Sequence, residues 1–153
     1  MRALVAEDSK TIRMILCEYL RKMDIQVVEA ADGREALERL KKMSPPDLVL
    51  VDWNMPVMSG IDFIRAVREL HVYDPLPLIM VTTNWESDFV GTAMDAGANE
   101  YIQKPCTMDS LRQNSIYLAS LNPRSFTLDE FSDGTNDKFE IAAFDEQAIQ
   151  IPG

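Results

Sequence analysis

The run Leu48-Val49-Leu50-Val51 ends on Asp52 and is bracketed by proline, with Pro45-Pro46 before it and Pro56 after it. Four apolar residues without alternation read as a strand buried on both faces, the environment of a parallel sheet covered by helices on each side. Such a strand ends at the rim where open α/β sheets bind ligands, and it carries the Asp52 carboxylate there. Two other apolar runs end in the same way. Residues 3–6 are followed by Glu7-Asp8, and a later run that includes Tyr101 and Ile102 is followed by Lys104-Pro105. One such charge alone would be an ordinary solvated loop residue. Three acids and a lysine at three strand ends, in this order, point to one site.

Between the strands the period changes. From Ser9, apolar residues fall at Ile12, Ile15, Leu16, Tyr19 and Leu20, the spacing of an amphipathic helix capped by Asp8 or Ser9. The charges Arg13, Glu18, Arg21 and Lys22 are expected largely on its other face. Residues 25–30 suit an edge strand, and Asp32-Gly33 opens a second helix with Ala36, Leu37, Leu40 and Met43 inward. After Asp52, a loop with Ser59-Gly60 leads into a third helix carrying Ile61, Ile64, Val67 and Leu70. Residues 78–81, framed by Pro75 and Pro77, make the fourth strand. A fourth helix is expected between about residues 85 and 96, weakened by Gly91 in its interior and ended by Gly97 as a C-cap. Residues 100–103 form the fifth strand, and a fifth helix over 107–121 places Met108, Leu111, Leu118 and Leu121 along one side. Five strand-helix units are too few to close a barrel, so the predicted fold is α/β, a doubly wound five-stranded parallel sheet with five helices.

Asn122-Pro123 stops the last helix, dividing the chain into a domain of residues 1–121 and an acidic extension of residues 122–153. The extension holds Phe126, Leu128, Phe131, Phe139, Ile141, Phe144, Ile149 and Ile151 among its acids, with Ser132-Asp133-Gly134 as a turn signal. That is too apolar for a purely solvating tail. Docking on the domain, pairing in a homodimer and service as a recruitment peptide all remain open, and the segment is too short for a separate output domain.

The whole chain has 153 residues and a net charge of -10, which argues against a nucleic-acid surface built on clustered Lys and Arg. No stretch approaches the ~18 consecutive apolar residues of a membrane span, and the first strand starts too early for a signal peptide. Cys17 and Cys106 have no partners at metal-ligand spacing. Together these favour a protein of the reducing cytoplasm without membrane insertion.

Glu7, Asp8 and Asp52 brought together without countercharge would repel, and some would have to hold a proton. A hard divalent cation relieves this, and two carboxylates, a main-chain carbonyl and waters are the ligand set that Mg²⁺ prefers. Asp8 and Asp52 are the expected direct ligands, Asn54 contributes its main-chain oxygen, and Glu7 acts through water. Phosphoryl transfer needs an in-line nucleophile and spread countercharge, and these residues supply both. Asp52 attacks phosphorus, the metal and Lys104 hold the developing negative charge, and Thr82 at the end of the fourth strand hydrogen-bonds a phosphoryl oxygen.

With Glu7-Asp8, Asp52-Trp53-Asn54-Met55-Pro56, Thr82, Tyr101 and Lys104-Pro105 in one register, the chain over residues 1–121 resembles bacterial two-component response-regulator receiver domains. Within them it looks most like the stand-alone chemotaxis regulators of the CheY type, with a C-terminal extension added. The resemblance implies the strand order 2-1-3-4-5 and Asp52 as phosphoacceptor from a histidine kinase. It implies Thr82 and Tyr101 as a switch pair, a cis bond between Lys104 and Pro105, and a partner surface made by the fourth helix, fifth strand and fifth helix. Asn54 and Asn84 lie where the family tunes phosphoryl lifetime. A motor switch protein or another downstream target is the implied partner, with a phosphorelay shuttle as the alternative. Three positions depart from the pattern: Glu7 replaces the commoner Asp, Thr83 stands where Ala is typical, and Cys106 where an aromatic is frequent.

Blander roles weigh against several residues. The nine methionines are mostly core filler. His71 sits in a polar loop and is given no phosphodonor role. Trp53 beside the acceptor should report metal or phosphate by fluorescence, with Trp85 complicating the signal. Three function classes follow. The leading one is a phosphorylation-controlled interaction module that is not an enzyme beyond slow self-dephosphorylation. A Mg²⁺-dependent phosphohydrolase would want a second acid two residues after the nucleophile, where Asn54 stands. A non-phosphorylated scaffold would act through the extension.

Overall fold

The computed structural model describes residues 1–121. The chain alternates β1 Arg2–Ala6, α1 Lys10–Lys22, β2 Gln26–Ala30, α2 Gly33–Lys42, β3 Leu48–Val51, α3 Gly60–Arg68, a 3₁₀ turn His71–Tyr73, β4 Leu78–Thr82, α4 Ser87–Ala96, β5 Glu100–Gln103 and α5 Met108–Ser120. The five strands pair in parallel in the order 2-1-3-4-5. β3 and β4 are buried along their whole length, as an unbroken apolar run requires when helices cover both faces. β2 lies at the edge and is mostly half-buried.

Two cores result. One face of the sheet packs Leu4, Val49, Val51, Leu78 and Met80 with Ala36, Leu40, Phe63, Ile64 and Val67. The other packs Ala3, Val5, Leu50, Ile79 and Val81 with Leu16, Cys17, Leu20, Leu111 and Leu118. Side chains of each strand alternate between the two.

Helix starts follow the capping residues. Ser9, Asp32, Ser59 and Thr107 each accept a hydrogen bond from a first-turn amide. At the start of α2 the Glu35 amide donates to Asp32 Oδ1 at 2.8 Å, and the amide of Ala31, one residue before the cap, donates to Glu35 Oε2 at 3.2 Å. α4 lacks such a cap, because Glu86 makes no side-chain bond there.

Four details differ from the sequence expectation. In α1 the inward stripe is Leu16, Cys17 and Leu20, while Ile15 is 43% exposed, so the helix is rotated and Cys17 takes the core position. Arg13, expected on the outer face, has a side chain only 18% exposed because it reaches to Glu29 and to the end of β1. In α5 the small residues Ser115 and Ala119 fill the buried face and Leu121 is 43% exposed. α3 ends at Arg68, so Leu70 precedes the 3₁₀ turn rather than extending the helix. The docking, homodimer and recruitment alternatives for residues 122–153 lie outside the described residues.

Candidate functional site

β1 and β3 are neighbours with Ala6 opposite Val51, so Glu7-Asp8 and Asp52 leave the sheet side by side. The Asp52 amide donates to the Ala6 carbonyl at 2.9 Å, extending the ladder one step past the strand end. Carboxylate oxygens of Glu7, Asp8 and Asp52 all lie within 4.8 Å of one another. Glu7 is 1% and Asp52 7% exposed, whereas Asp8 is open to solvent.

Lys104 closes the cluster from the far side of the sheet. Its Nζ lies 2.6 Å from Glu7 Oε2 and 3.2 Å from Asp52 Oδ2, and its side chain is 9% exposed. The Lys104-Pro105 peptide is cis. Asp52 Oδ1 accepts the Trp53 amide at 2.7 Å, and Glu7 Oε1 accepts the Ser9 amide at 3.2 Å. Oδ2 of Asp52 is therefore the oxygen turned to the lysine.

The charge balance is uneven. Three carboxylates against one ammonium leave two negative charges uncompensated in a largely buried pocket. Burial pushes the Glu7 carboxyl above its ordinary range, and the neighbouring Asp52 charge adds to this against the opposing Lys104 bond. A divalent cation would supply the missing two charges, and the all-oxygen donor set suits a hard ion of the Mg²⁺ class. The residues fit such an ion.

Thr82, Asn84 and Tyr101 form a second cluster beside the first. Thr82 is fully buried and its Oγ1 accepts the Asn84 amide at 3.4 Å. The buried Tyr101 hydroxyl donates to the Asn84 carbonyl. Burial, and then the charge of Asp52, raise the Tyr101 pKa above its ordinary value. The Lys104 amide donates to the Thr82 carbonyl at 2.9 Å, joining the two clusters through the main chain. Asn54 lies exposed on the loop beyond Asp52.

The site also contains residues whose part was invisible in the sequence. Arg13 Nη1 donates to the Glu7 carbonyl at 2.7 Å while Nε bonds Glu29 at 3.2 Å, fixing the β1 end. Gly60 donates its amide to the Trp53 carbonyl at 2.9 Å, and a Cβ there would lie 2.0 Å from the Asp52 carbonyl oxygen. Only glycine permits that approach. The Ser59-Gly60 pair marked a turn but not this contact.

Residues 3–115 match the response regulator receiver domain family. The chain belongs to that family. The receiver is 39% identical over 114 residues to the chemotaxis protein CheY1 of Helicobacter pylori, covering 74% of this chain and 92% of that protein. The CheY homolog of Campylobacter jejuni is 40% identical over 114 residues, with 74% and 88% covered. Among solved structures, Vibrio cholerae chemotaxis protein CheY4 superposes with a TM-score of 0.70 at 34% identity, covering 74% of this chain and 93% of that one. A Francisella response regulator receiver domain gives 0.71 at 26% identity, with 78% and 96% covered. In the receiver no helix among the described residues is long and apolar enough to cross a membrane.

Proposed function

We propose that this receiver is the phosphoacceptor of a two-component, chemotaxis-type signalling system, modified on Asp52 by a histidine kinase. The observation that carries the proposal is the Lys104 ammonium 3.2 Å from Asp52 Oδ2 beside three converging carboxylates. Oδ1 is held by the Trp53 amide, so Oδ2 is the attacking oxygen. Its bond to phosphorus forms as the bond from phosphorus to the donor breaks, and the product is an acyl phosphate on Asp52. Lys104 follows the charge from the carboxylate to the phosphoryl oxygens without having to move far. A divalent cation of the Mg²⁺ class, held by Asp8, Asp52, the Asn54 main-chain oxygen and, through water, Glu7, supplies further countercharge to those oxygens.

Thr82 is the hydroxyl donor for a phosphoryl oxygen, and a turn of its side chain toward that oxygen draws Oγ1 away from the Asn84 amide that it accepts at 3.4 Å. Tyr101 is bonded to the same residue, so the rearrangement passes to the surface of α4, β5 and α5. The new charged group biases two packings of that surface, and a downstream target reads the difference. A target in chemotaxis is supported by the likeness to CheY-type relatives. Asn54 stands where a phosphohydrolase would carry its second acid, so turnover is confined to slow self-dephosphorylation whose rate Asn54 and Asn84 set.

Incubation with acetyl phosphate or beryllofluoride, with and without Mg²⁺, tests the reading by intact mass and ¹⁹F NMR. One metal-dependent modification per chain, lost in Asp52→Asn, is the expected result. Multiple turnover would indicate a phosphohydrolase, and no modification at all a scaffold.

A further inference from the structure

α1 presents two different flanks on either side of its buried stripe. Arg13 and Arg21 lie on the flank turned to β2, where they reach Glu29 at 3.2 and 3.5 Å. At about 100° per residue, Ile12, Ile15, Tyr19 and Met23 fall on the opposite flank, toward α5. Ile12, Tyr19 and Met23 are half-buried against the same core as Tyr117 of α5. Ile15 is 43% exposed, and so is Leu121 at the end of α5. The seam between the two helices is thus apolar along its length, and the described residues leave it partly open to water.

α1 is also the most basic of the five helices. It carries Lys10, Arg13, Arg21 and Lys22 against Glu18 alone, whereas residues 1–121 as a whole hold 18 acids and 13 bases. Residues 122–153 have the complementary character, with seven acids, two bases and eight large apolar residues. The first group among them is Phe126, Leu128 and Phe131 around Asp129-Glu130. This group starts close to the seam. α1 and α5 cover one face of the sheet and each runs back against the strand before it, so Leu121 emerges at the Met23 end of α1. From Leu121 to Phe126 the chain spans at most about 18 Å at ~3.6 Å per residue. From Met23 to Ile15 the flank is about 12 Å long at ~1.5 Å per residue, which lies within that reach. A tether this short gives an effective concentration on the order of millimolar, which favours the chain's own domain over a second copy or a separate partner.

We infer that residues 126–131 dock on the α1–α5 seam of their own domain, with Phe126, Leu128 and Phe131 over Ile15 and its half-buried neighbours and Asp129-Glu130 set against the basic charge of α1. The extension then acts as a built-in competitor for any acidic, apolar partner of that side of the domain. The inference rests on exposure, charge and chain length, and it is independent of the phosphoacceptor reading.

Amide hydrogen exchange on the full chain tests the docking. Amides of residues 126–131 should exchange at least about tenfold more slowly than the same amides in an unfolded chain. Ile15→Glu, at an exposed position, should abolish that protection while exchange in β3 stays unchanged. Val72→Glu puts the same charge on an exposed apolar residue of the 3₁₀ turn beside α3, and should leave the protection in place. Phe126→Ser leaves the core of residues 1–121 untouched and should remove the protection at residues 128–131. Sedimentation over an approximately tenfold range of concentration should show a monomer throughout, with protection constant. Absence of protection in the wild type, protection that survives Ile15→Glu or Phe126→Ser, or its loss in Val72→Glu would each overturn the inference. Protection that falls on dilution together with the mass of a dimer would place the segment on a second copy and refute docking within one chain.

Discussion

Replacing Lys104 with Met removes the one ammonium that the structure places between two buried carboxylates, at 2.6 Å from Glu7 and 3.2 Å from Asp52. Breaking a buried pair by deleting one partner costs about 3–5 kcal/mol, and side-chain exposures of 2% for Glu7 and 9% for Asp52 leave little water to soften this. A proton can. Glu7 already sits above its ordinary value of 4.5, mainly through burial. Taking up a proton from that ordinary value costs about 1.36 kcal/mol per pH unit, which caps the electrostatic penalty at about 3.4 kcal/mol at pH 7 and about 0.7 at pH 5. Over the 121 described residues the unfolding entropy is about 0.25 kcal/mol/K, from ~2.1 cal/mol/K per residue, so Lys104→Met should melt lower by about 13 °C at pH 7 but only about 3 °C at pH 5. The sign follows from linkage. A carboxyl raised in the fold binds protons more tightly there than in the unfolded chain, so stability falls as pH rises from 4.5 through the raised value. Thermal melts by circular dichroism in EDTA at the two pH values provide the assay. Adding Mg²⁺ at pH 7 should then raise the variant's melting temperature more than the wild type's, because the cation takes the place of the missing ammonium and spares Glu7 the proton it must otherwise hold. A loss at pH 7 under about 2 °C, or the same loss at both pH values, would show that Lys104 is not the countercharge and would refute the reasoning.

Gly60→Ala forces a Cβ to 2.0 Å from the Asp52 carbonyl and 3.1 Å from Trp53 Cα, both backbone atoms, and should lower stability by about 3 kcal/mol and reduce beryllofluoride uptake. An unchanged urea midpoint would mean the Asp52–Gly60 loop moves freely. Val57→Asn should stabilise by about 1 kcal/mol, because a β-branched residue, itself 76% exposed, is held at φ 70, and Asn adopts that conformation at lower cost. Its urea midpoint should rise at constant slope; a fall would show that the turn, in which the Met58 amide donates to Pro56 at 2.7 Å, is not strained by Val57. Gly91→Ala in the exposed interior of α4, where a new Cβ meets nothing within 4 Å, should add about 1 kcal/mol and slow exchange across the helix.

The strands were legible because four-residue apolar runs between prolines have few other uses, and the convergence of Glu7, Asp8, Asp52 and Lys104 followed once they were placed at strand ends. The strand order came from family resemblance, since apolar spacing does not say which strand neighbours which. Hydrophobicity ranks residues by size, and helix faces are chosen by fit, so Ile15 and Leu121 were placed inward while Cys17, Ser115 and Ala119 occupy those positions. Charged side chains that work as hydrogen-bond hubs were the hardest to see. Arg13 and Arg68 look in sequence like solvated helix residues, yet their acceptors are mostly main-chain carbonyls that no residue pattern reports.

The placement of Lys104 also explains the residue over which it passes. It follows β5, and Glu7 follows β1, three positions away in the order β1-β3-β4-β5, a span of about 14 Å at ~4.8 Å per strand. Neither side chain crosses that span alone, and the two meet at 2.6 Å only by reaching toward each other over the ends of β3 and β4. The end of β4 is Thr82, paired in register with Gln103 immediately before Lys104. A short side chain there leaves the path of the lysine open. The longer arm of Glu7, where Asp is commoner, closes the same gap from the other side. The ammonium is therefore shared between Glu7 and Asp52, and a charge added at Asp52 pulls on both.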